Sequence, residues 1–481
     1  MSEPLFIGID IGTQGTKTVL CDINGKSIAE SFSPSVLEHP EKNAITEDAN
    51  KIFHSVISTI KNVMEKSGVD KSNVKSIGID AQMAGIMGVD KNFNAITPLD
   101  SWLDNRCAKY TELINEKYCE ESIRISGGQI INSHAPKILW WKNEKPDIYN
   151  NIAKFVMPNG FVAGKMCGLK SEDAFMDYTF IHFNSFSDNL NLCFNTEALN
   201  MFRIDADKLP RICKPTEIID HLTKEYAVAC GLSTDTLVIA GCGDTAASSL
   251  GAGITKNGLA YDVAGTASVF ACCTDKFAPD VKNKTLMFSR SVVDGLFLPL
   301  AFIIGGGMRL RWFSELVGKD LKTLDKMAAC VEEGACGVRF NPHFSGRACP
   351  FDNSVTGNFT GLYDNVGAAE MYRAILEGIA LEYKIYIDIM QESDCIANTS
   401  AIRGVGGGAK SPIFAKIKAD ILALDYIPLE HICSASQAVA KLAAYSTGYT
   451  NKSLSALFNV NETKKIHFEN KIHEKYIQIF S

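Results

Sequence analysis

Leu-Phe-Ile-Gly-Ile-Asp-Ile-Gly-Thr-Gln-Gly-Thr-Lys, residues 5–17, joins an apolar run to a glycine-rich loop. The run at Leu5–Ile11 is nearly continuous, as in strands that are covered on both faces. Strand-like character resumes at Thr18–Cys21, after the loop. The segment therefore predicts a buried β-hairpin whose loop is rich in glycine and hydroxyl groups.

The residues that follow this hairpin predict an α/β fold. Asp22–Gly25 supplies a turn into a third strand, and an apolar face at helical spacing begins near Asp48 and ends before Gly68. Val74–Asp80 is another buried strand. Short strands alternate with helices through most of the chain, but this β-β-β-α-β order differs from the strict alternation of a dinucleotide-binding fold.

The same order of elements begins again near residue 235. Leu237–Gly241 reads as a strand that runs into a short helix of small residues, and a second hairpin covers residues 259–272. Both hairpins place an aspartate and then Gly-Thr at the end of an apolar strand: Asp10-Ile-Gly12-Thr13 and Asp262-Val-Ala-Gly265-Thr266. This repetition predicts a duplicated fold with two lobes, residues 1–245 and residues 246–481.

Length and composition exclude several classes of protein. A chain of 481 residues is too long for one hydrophobic core. With 46% hydrophobic and 21% charged residues, it is not a disordered chain. The 48 basic and 55 acidic residues give a net charge of −7, which argues against nucleic acid or anionic lipid as the main partner.

The apolar stretches and the cysteines indicate the compartment. The most apolar stretch, residues 296–308, is shorter than the roughly 20 residues that a bilayer span needs. None of the 15 cysteines has C-x-x-C spacing, so we expect neither a zinc site nor a disulfide framework. These features predict a protein of the reducing cytoplasm that does not cross a membrane.

Three glycine-rich loops follow predicted strands and could hold a nucleotide. Glycines let backbone N–H groups approach an anion, and hydroxyl and lysine side chains add donors and charge. The sequences match neither G-x-x-x-x-G-K-[ST] nor G-x-G-x-x-G. Each loop alone could be a tight turn, whereas three at strand ends favour a nucleotide site. The candidate positions are Gly12, Thr13, Gln14, Lys17, Gly265, Thr266, Gly407, Gly408 and Ala409.

Three aspartates, Asp10, Asp80 and Asp244, end or follow strands. A carboxylate at such a position often caps a turn. It is also ionised at neutral pH and can accept a proton from a sugar hydroxyl. Asp244 lies between a Gly-x-Gly pair and the start of a helix, where either role is open.

Two further segments have polar residues of uncertain role. Trp102-Leu-Asp104-Asn-Arg106 places an aromatic, an acidic and a basic side chain within five residues, which suits polyol binding or a solvated helix start. His134, beside Ala135-Pro136, is interpreted as a packing residue rather than a catalytic one.

A longer motif then resembles a known family. Gly357-Asn-Phe-Thr-Gly-Leu362, followed after seven residues by Glu370-Met-Tyr-Arg-Ala-Ile-Leu-Glu377, is similar to the second signature of the FGGY carbohydrate kinases. These include glycerol kinase, gluconate kinase, ribulokinase and xylulokinase. Residues 134–141 match the first signature in part, and the order of motifs most resembles the xylulokinase branch.

The resemblance implies a duplicated actin-like (ribonuclease H-like) ATPase fold, with sugar bound by the N-terminal lobe, nucleotide by the C-terminal lobe, and a cleft between them. It implies in-line transfer of the γ-phosphoryl group of ATP, with Mg²⁺. Asp244 resembles the catalytic base, and Asp10 the carboxylate near the metal. The carried-over ligand positions are Gly12, Thr13, Gln14, Lys17, Gly265 and Thr266 for phosphate, Gly407, Gly408 and Ala409 for adenosine, and Gln82, Met83, Asp104 and Asp244 for sugar.

Departures from the xylulokinase pattern leave the sugar open. Ala84 stands where xylulokinases have histidine, which removes one polar contact with the sugar, and Arg347 stands where they have glutamate. D-Xylulose is the first expectation. Ribulose, a sugar acid or a tetrose polyol are alternatives with the same mechanism, and a non-catalytic or chaperone-like ATPase is a distant one. We expect the lobes to close on sugar, and a homodimer remains open.

Overall fold

The computed structural model describes residues 3–265, 267–430, 432–462 and 464–480. The chain forms two compact units. Unit 1 comprises Met1–Gly253, Ser289–Asp294 and Cys433–Phe458, and unit 2 comprises Ile254–Phe288, Gly295–Ile432 and Asn459–Ser481. The sequence predicted one boundary after residue 245. The division instead follows Gly253, and the chain returns to unit 1 twice.

The strands are numbered in chain order. They are β1 (Leu5–Gly12), β2 (Gly15–Cys21), β3 (Ser27–Pro34), β4 (Thr46–Glu47), β5 (Val74–Ala81), β6 (Met87–Val89), β7 (Leu99–Asp100), β8 (Lys154–Val156), β9 (Phe175–Asp177), β10 (Ser187–Asp188), β11 (Cys193–Phe194), β12 (Arg211–Cys213), β13 (Ile218–His221), β14 (Leu237–Ile239), β15 (Cys242–Gly243), β16 (Ala260–Ala264), β17 (Ser268–Cys272), β18 (Met287–Arg290), β19 (Phe297–Ile303), β20 (Arg339–Asn341), β21 (Arg347–Ala348), β22 (Phe351–Asp352), β23 (Asn358–Thr360), β24 (Ala401–Val405) and β25 (Asp425–Pro428).

The α-helices are numbered in the same way. They are α1 (Ala49–Ser67), α2 (Ala108–Ser126), α3 (His134–Glu144), α4 (Pro146–Asn151), α5 (Pro158–Cys167), α6 (Thr196–Phe202), α7 (Lys224–Cys230), α8 (Asp244–Gly251), α9 (Gly306–Val317), α10 (Leu321–Ala328), α11 (Ala368–Glu392), α12 (Pro412–Leu422), α13 (Ala435–Ser446), α14 (Leu454–Leu457) and α15 (Asn470–Phe480). Short 3-10 helices include Tyr178–Phe183 and Gly408–Lys410.

The main sheet of unit 1 has the strand order β13-β14-β5-β1-β2-β3, with β15 also paired to β5. Strands β1, β2 and β3 form an antiparallel meander, while β5 is parallel to β1 and β14 is parallel to β5. The predicted β-β-β-α-β order is confirmed, since α1 lies in the chain between the meander and β5. Asp48 caps this helix by accepting from Asn50 N and Lys51 N.

The main sheet of unit 2 repeats this arrangement, with the order β18-β19-β17-β16-β24-β25. Here β16 and β17 form the antiparallel hairpin, β19 is the next antiparallel strand, and β24 and β25 run parallel to β16. Apart from the edge strands β13 and β18, the order β3-β2-β1-β5-β14 in unit 1 corresponds strand by strand to β19-β17-β16-β24-β25 in unit 2. The duplicated α/β fold predicted from the two hairpins is confirmed.

Helix α13 packs against the sheet of unit 1 across two glycines. A Cβ atom at Gly8 would lie 1.7 Å from the carbonyl oxygen of Ser436, and one at Gly78 would lie 2.2 Å from that of Val439. Any larger residue at these positions would push the helix off the sheet. The glycines inside β1 and β5 thus explain how a distant segment, residues 433–458, belongs to unit 1.

Among the described residues, no helix has both the length and the apolar character needed to cross a membrane.

Candidate active site

Three aspartates lie at neighbouring strand ends in unit 1. Asp10 in β1 is the direct register partner of Asp80 in β5, because the two strands are parallel. On the other side of β5, Cys242 of β15 pairs with Asp80, and Asp244 begins helix α8 two residues later. The carboxyl ends of adjacent parallel strands meet at one edge of a sheet, so three strands deliver one acid each to this edge.

The negative charges of the acids at this edge repel one another. Asp80 is fully buried, and no donor among the described residues reaches either of its carboxyl oxygens. Burial, and then the charges of Asp10 and Asp244, raise the pKa of Asp80 well above its ordinary value. Burial also raises the pKa of Asp10, and the Lys17 charge opposes this shift. Two neighbouring carboxyl groups repel each other when both are ionised, so a proton or a cation would stabilise the pair.

Asp244 has the environment of a tunable base. Burial, and then the charge of Asp10, raise its pKa to about 6, while hydrogen bonds from Thr245 oppose the shift. Thr245 donates its backbone N–H over 2.6 Å and its hydroxyl over 3.2 Å, both to Oδ1 of Asp244. The carboxylate is thus fixed in orientation and titrates close to neutral pH, as catalysis by proton transfer requires.

Two carboxyl groups at this edge could hold a magnesium ion. Among residues 3–265, 267–430, 432–462 and 464–480, no group of three or more His, Cys, Asp or Glu side chains has metal-binding geometry. Mg²⁺, however, is usually held by one or two carboxylates together with water and phosphate oxygens. The buried Asp80 carboxyl without donors, beside Asp10, fits a cation of this kind.

The predicted sugar positions Gln82 and Met83 lie in the loop after β5. Gln82 donates its amide Nε2 to Glu47 over 2.6 Å, and the Trp102 indole donates to the Thr13 hydroxyl over 2.9 Å. Met83 packs on Gly243, where a Cβ atom would lie 2.5 Å from its methyl carbon. The structure therefore brings the predicted sugar loop, the first phosphate loop and the strand before Asp244 together in unit 1.

The third predicted sugar position, Asp104, has its carboxylate engaged within the protein. Its oxygens accept from the Arg106 side chain and from Ile45 N at 2.9 Å. Arg106 also pairs with Asp100 at 2.6 Å and lies over the Trp140 ring, 4.1 Å from its centroid. Asp104 and Arg106 are both buried, so a solvated helix start is wrong for them.

Lys137 is a residue that motif reasoning left without a role. It is fully buried in α3 and donates over 2.8 Å to the carbonyl oxygens of both Ala84 and Ser101. Burial lowers its pKa, which the charges of Cys107, Asp100 and Asp104 oppose. Ala84 has a left-handed backbone with φ of 60°, which costs a non-glycine residue about 1 kcal/mol. The lysine thus holds the predicted sugar loop, which is strained at Ala84, against the segment that carries Trp102.

His134 has the surroundings of a packing residue, as expected. The ring is fully buried beside Phe180 and Phe183, with centroid separations of 6.4 and 6.2 Å. Burial, and then the charges of Lys137 and His182, keep its pKa well below the ordinary value, so the imidazole is neutral.

The first phosphate loop is only partly free to meet a ligand. Gln14 is exposed at its tip, and a Cβ atom on Gly12 would make only ordinary contacts, so packing does not demand that glycine. Lys17 pairs with Glu30 at 2.8 Å, which occupies its ammonium group. A phosphate contact by Lys17 stays a prediction.

The predicted nucleotide positions of unit 2 follow β16 and β24. Gly265 is described, whereas Thr266 lies outside the described residues. Gly407 has ordinary helical angles and nothing within 4 Å of a Cβ atom placed on it, so neither strain nor packing requires glycine there. At Gly408 the Cβ atom would lie 2.9 Å from that of Ala264, and Ala409 is buried. Space above Gly407 suits close approach of a ligand.

Comparison with protein families agrees with the fold and with these motifs. The N-terminal domain of the FGGY family of carbohydrate kinases matches residues 5–251, and the C-terminal domain of that family matches residues 261–446.

Curated relatives include two kinds of kinase at nearly equal identity. A xylulose kinase of Staphylococcus epidermidis is 27% identical over 100% of this chain and 96% of its own. A gluconokinase of Bacillus subtilis is 26% identical over 92% of this chain and 88% of its own.

Solved structures show the same fold. A ligand-bound xylulose kinase from Lactobacillus acidophilus has a TM-score of 0.89 at 23% identity, covering 99% of this chain and 96% of that one. A gluconate kinase from the same organism also has a TM-score of 0.89 at 23% identity, covering 100% and 96%.

Proposed function

Because this chain belongs to the FGGY family of carbohydrate kinases, and is thus an ATP-dependent sugar kinase, we propose that it phosphorylates a ketopentose, with D-xylulose as the first candidate and Asp244 as general base. The observation that carries the proposal is the Asp244 carboxyl, part-buried at the edge of the sheet with its pKa raised to about 6. Such a group is ionised at neutral pH yet still basic enough to take a proton.

In the proposed reaction the acceptor hydroxyl attacks the γ-phosphorus of ATP. Its oxygen forms the new P–O bond while the bond between the γ-phosphorus and the β,γ-bridging oxygen breaks, and ADP leaves with that bond's electron pair. Asp244 takes the hydroxyl proton. Both Thr245 bonds end on Oδ1, so Oδ2 is the oxygen assigned to that proton.

Asp10, with Asp80 behind it, is the proposed holder of Mg²⁺. The ion supplies charge neutralisation for the phosphate oxygens when it is bound. For the nucleotide we propose the glycine-rich loops: Gly12, Thr13, Gln14 and Lys17 in unit 1, and Gly265, Thr266, Gly407, Gly408 and Ala409 in unit 2. The proposed contacts come from backbone N–H groups in each loop and, in unit 1, from the Thr13 hydroxyl.

The charges around the sugar loop favour a neutral acceptor over a sugar acid. Three cationic side chains that neighbour these positions already have partners. Arg106 faces Asp100, Asp104 and Glu41, Lys137 faces two carbonyl oxygens, and Lys17 faces Glu30. A gluconate carboxylate would need one of them to break its own pair. Gluconate stays in the test because gluconokinases are among the similar proteins.

The test is ADP production by the purified protein with Mg-ATP across a panel of D-xylulose, D-ribulose, tetrose polyols, gluconate and glycerol. The Asp244→Ala variant runs beside it, with Asp235→Ala, at an exposed position of unit 1, as the matched control. We expect D-xylulose to give the highest kcat/KM, Asp244→Ala to lose at least about a hundredfold in kcat, and the control to keep full activity. A preference for gluconate would overturn the ketopentose assignment, and an active Asp244→Ala variant would overturn the base.

A further inference from the structure

The strand that delivers Asp244 is broken at Ala240 and Gly241. Strand β14 ends at Ile239, Gly241 takes a left-handed backbone with φ of 73°, and β15 resumes beside β5. A Cβ atom on Gly241 would lie 1.8 Å from the carbonyl oxygen of Ile79, so this bend allows no other residue. A bend in a strand changes the direction in which the following residue points. Because the hydrogen-bond ladder is interrupted here, contacts from other parts of the protein must fix the geometry of the bend.

Two buried side chains form hydrogen bonds with the backbone at this bend. Asn159, in α5, donates its amide to the carbonyl oxygen of Ala240 over 3.1 Å. Thr179, in the 3-10 helix Tyr178–Phe183, accepts with its hydroxyl oxygen from the N–H of Gly243 over 2.8 Å. Gly243 is the residue directly before Asp244, so the second contact sets the position from which the catalytic carboxylate projects.

Asp177 connects these two side chains into one hydrogen-bond network. Its Oδ1 accepts from the Thr179 hydroxyl and from Thr179 N at 3.0 Å, and its Oδ2 accepts from the Asn159 amide at 2.9 Å. Asn159, Asp177 and Thr179 are all buried at about 1% exposure or less. The Thr179 hydroxyl has one proton, which it donates in its hydrogen bond to Asp177. A lone pair of the hydroxyl oxygen is therefore left to accept from the N–H of Gly243.

From this network we infer that Asp177 and Thr179 are positioning residues for phosphoryl transfer, which act on Asp244 through the Gly243 N–H. The inference rests on the proposed role of Asp244 as base. Loss of the hydroxyl leaves a buried N–H without an acceptor at the residue before the base, and a displacement of about 1 Å in a catalytic group can cost a hundredfold in rate.

Three variants separate this role from a general loss of stability. Thr179→Val removes the hydroxyl, and Thr179→Ser keeps it. Thr59→Val is the matched control, because Thr59 is also a fully buried threonine of unit 1 whose hydroxyl is hydrogen-bonded, to Thr18 at 2.8 Å, but it lies in α1 away from the acids. We expect similar falls in Tm for the two valine variants.

The kinetic readout uses the acceptor with the highest activity in the panel above. Thr179→Val should lose about tenfold to a hundredfold in kcat with little change in the KM for sugar, Thr179→Ser should recover most of it, and Thr59→Val should keep it. Equal kcat values for Thr179→Val and Thr59→Val would overturn the inference. If Asp244→Ala itself kept full activity, the proposed base would fail instead.

A second readout does not depend on any acceptor. Hydrogen–deuterium exchange, followed by mass spectrometry on a peptide containing Gly243, reports on the N–H that Thr179 accepts. We expect about tenfold faster exchange of this peptide in Thr179→Val and unchanged exchange in Thr179→Ser and Thr59→Val. Unchanged exchange in Thr179→Val would show that the hydroxyl does not hold Gly243.

Discussion

The end of β1, with Asp10, and the strand β16, with Asp262, occupy the same place in two sheets of the same order, but the two aspartates have opposite surroundings. Asp10 lies beside two further acids, Asp80 and Asp244, and Asp80 receives no hydrogen bond from a donor of the described residues. Asp262 is fully buried and fully paired. Its oxygens accept from the Tyr383 hydroxyl at 2.8 Å, the Tyr426 hydroxyl at 2.6 Å and the Lys418 ammonium group.

The strand that runs parallel to each of these two strands also differs between the two units. In unit 1 the strand parallel to the first one, β5, ends with Asp80. In unit 2 the corresponding strand, β24, is followed by Gly406, Gly407 and Gly408. One copy of the fold therefore clusters three acids at its strand ends, while the other pairs its acid with Lys418 and has glycines after the neighbouring strand. Clustered acids with raised pKa values are typical of reactive sites.

The largest expected effect is on stability in unit 2. Lys418→Met would leave the buried Asp262 carboxylate with only two hydroxyl donors, and removal of one partner of a buried ion pair costs about 3–5 kcal/mol. Lys384→Met, in α11 of the same unit, is the matched control, because its partner Asp388 is exposed at 48%, and it should cost less than about 1 kcal/mol. Urea denaturation of both variants measures the difference.

A double variant decides whether the loss comes from the charge. Lys418→Met combined with Asp262→Asn removes both charges and should recover part of the lost free energy of unfolding. If the two single lysine variants were equally stable, Asp262 would not depend on Lys418, and the contrast with Asp10 would lose its basis.

Replacement of Asp244 should have the opposite effect: it should stabilise the folded protein near neutral pH while it abolishes kinase activity. Its pKa is raised from 3.8 to about 6 on folding, so its favourable contribution is present below pH 4 and is lost as the pH rises through 6. Asp244→Asn lacks this dependence. Without magnesium, the stability of the variant relative to the original protein should grow by about 1–2 kcal/mol between pH 5 and pH 7.5.

Thermal denaturation at the two pH values, in the presence of a chelator, measures this difference. The variant should also lack kinase activity at both values. A stability difference that did not change with pH would show that the Asp244 carboxyl has an ordinary pKa, and its assignment as a tuned base would then lack support.

Local signals explain how much of this molecule was predictable. Apolar runs, turn residues and the helix cap at Asp48 act over a few positions, so the strands, both hairpins and the duplication were predicted correctly. The contacts that shape the site join distant positions: Lys137 reaches the carbonyl of Ala84, 53 residues away, and Gly243 donates to Thr179, 64 residues away. No spacing rule encodes such pairs.

Some of these residues did leave a signal in the sequence. Lys137 stands in a helix turn whose other members, Ala135, Pro136, Ile138 and Leu139, are apolar, and a lone charge on such a surface indicates buried hydrogen bonds. Residues 433–458 left none, because the contact that assigns them to unit 1 depends on the absence of side chains at Gly8 and Gly78, far away in the chain.

The smallest expected effect tests the glycines of unit 2. Gly407→Ala should fold normally, because the backbone is helical there and a Cβ atom meets nothing within 4 Å, and it should gain up to about 1 kcal/mol from reduced freedom of the unfolded chain. If ATP approaches this glycine, the KM for ATP should rise severalfold while the KM for sugar stays constant. Gly408→Ala is the contrasting variant, since its Cβ would lie 2.9 Å from that of Ala264, and it should lower the Tm instead. An unchanged KM for ATP in Gly407→Ala would mean that the space above this loop belongs to no nucleotide.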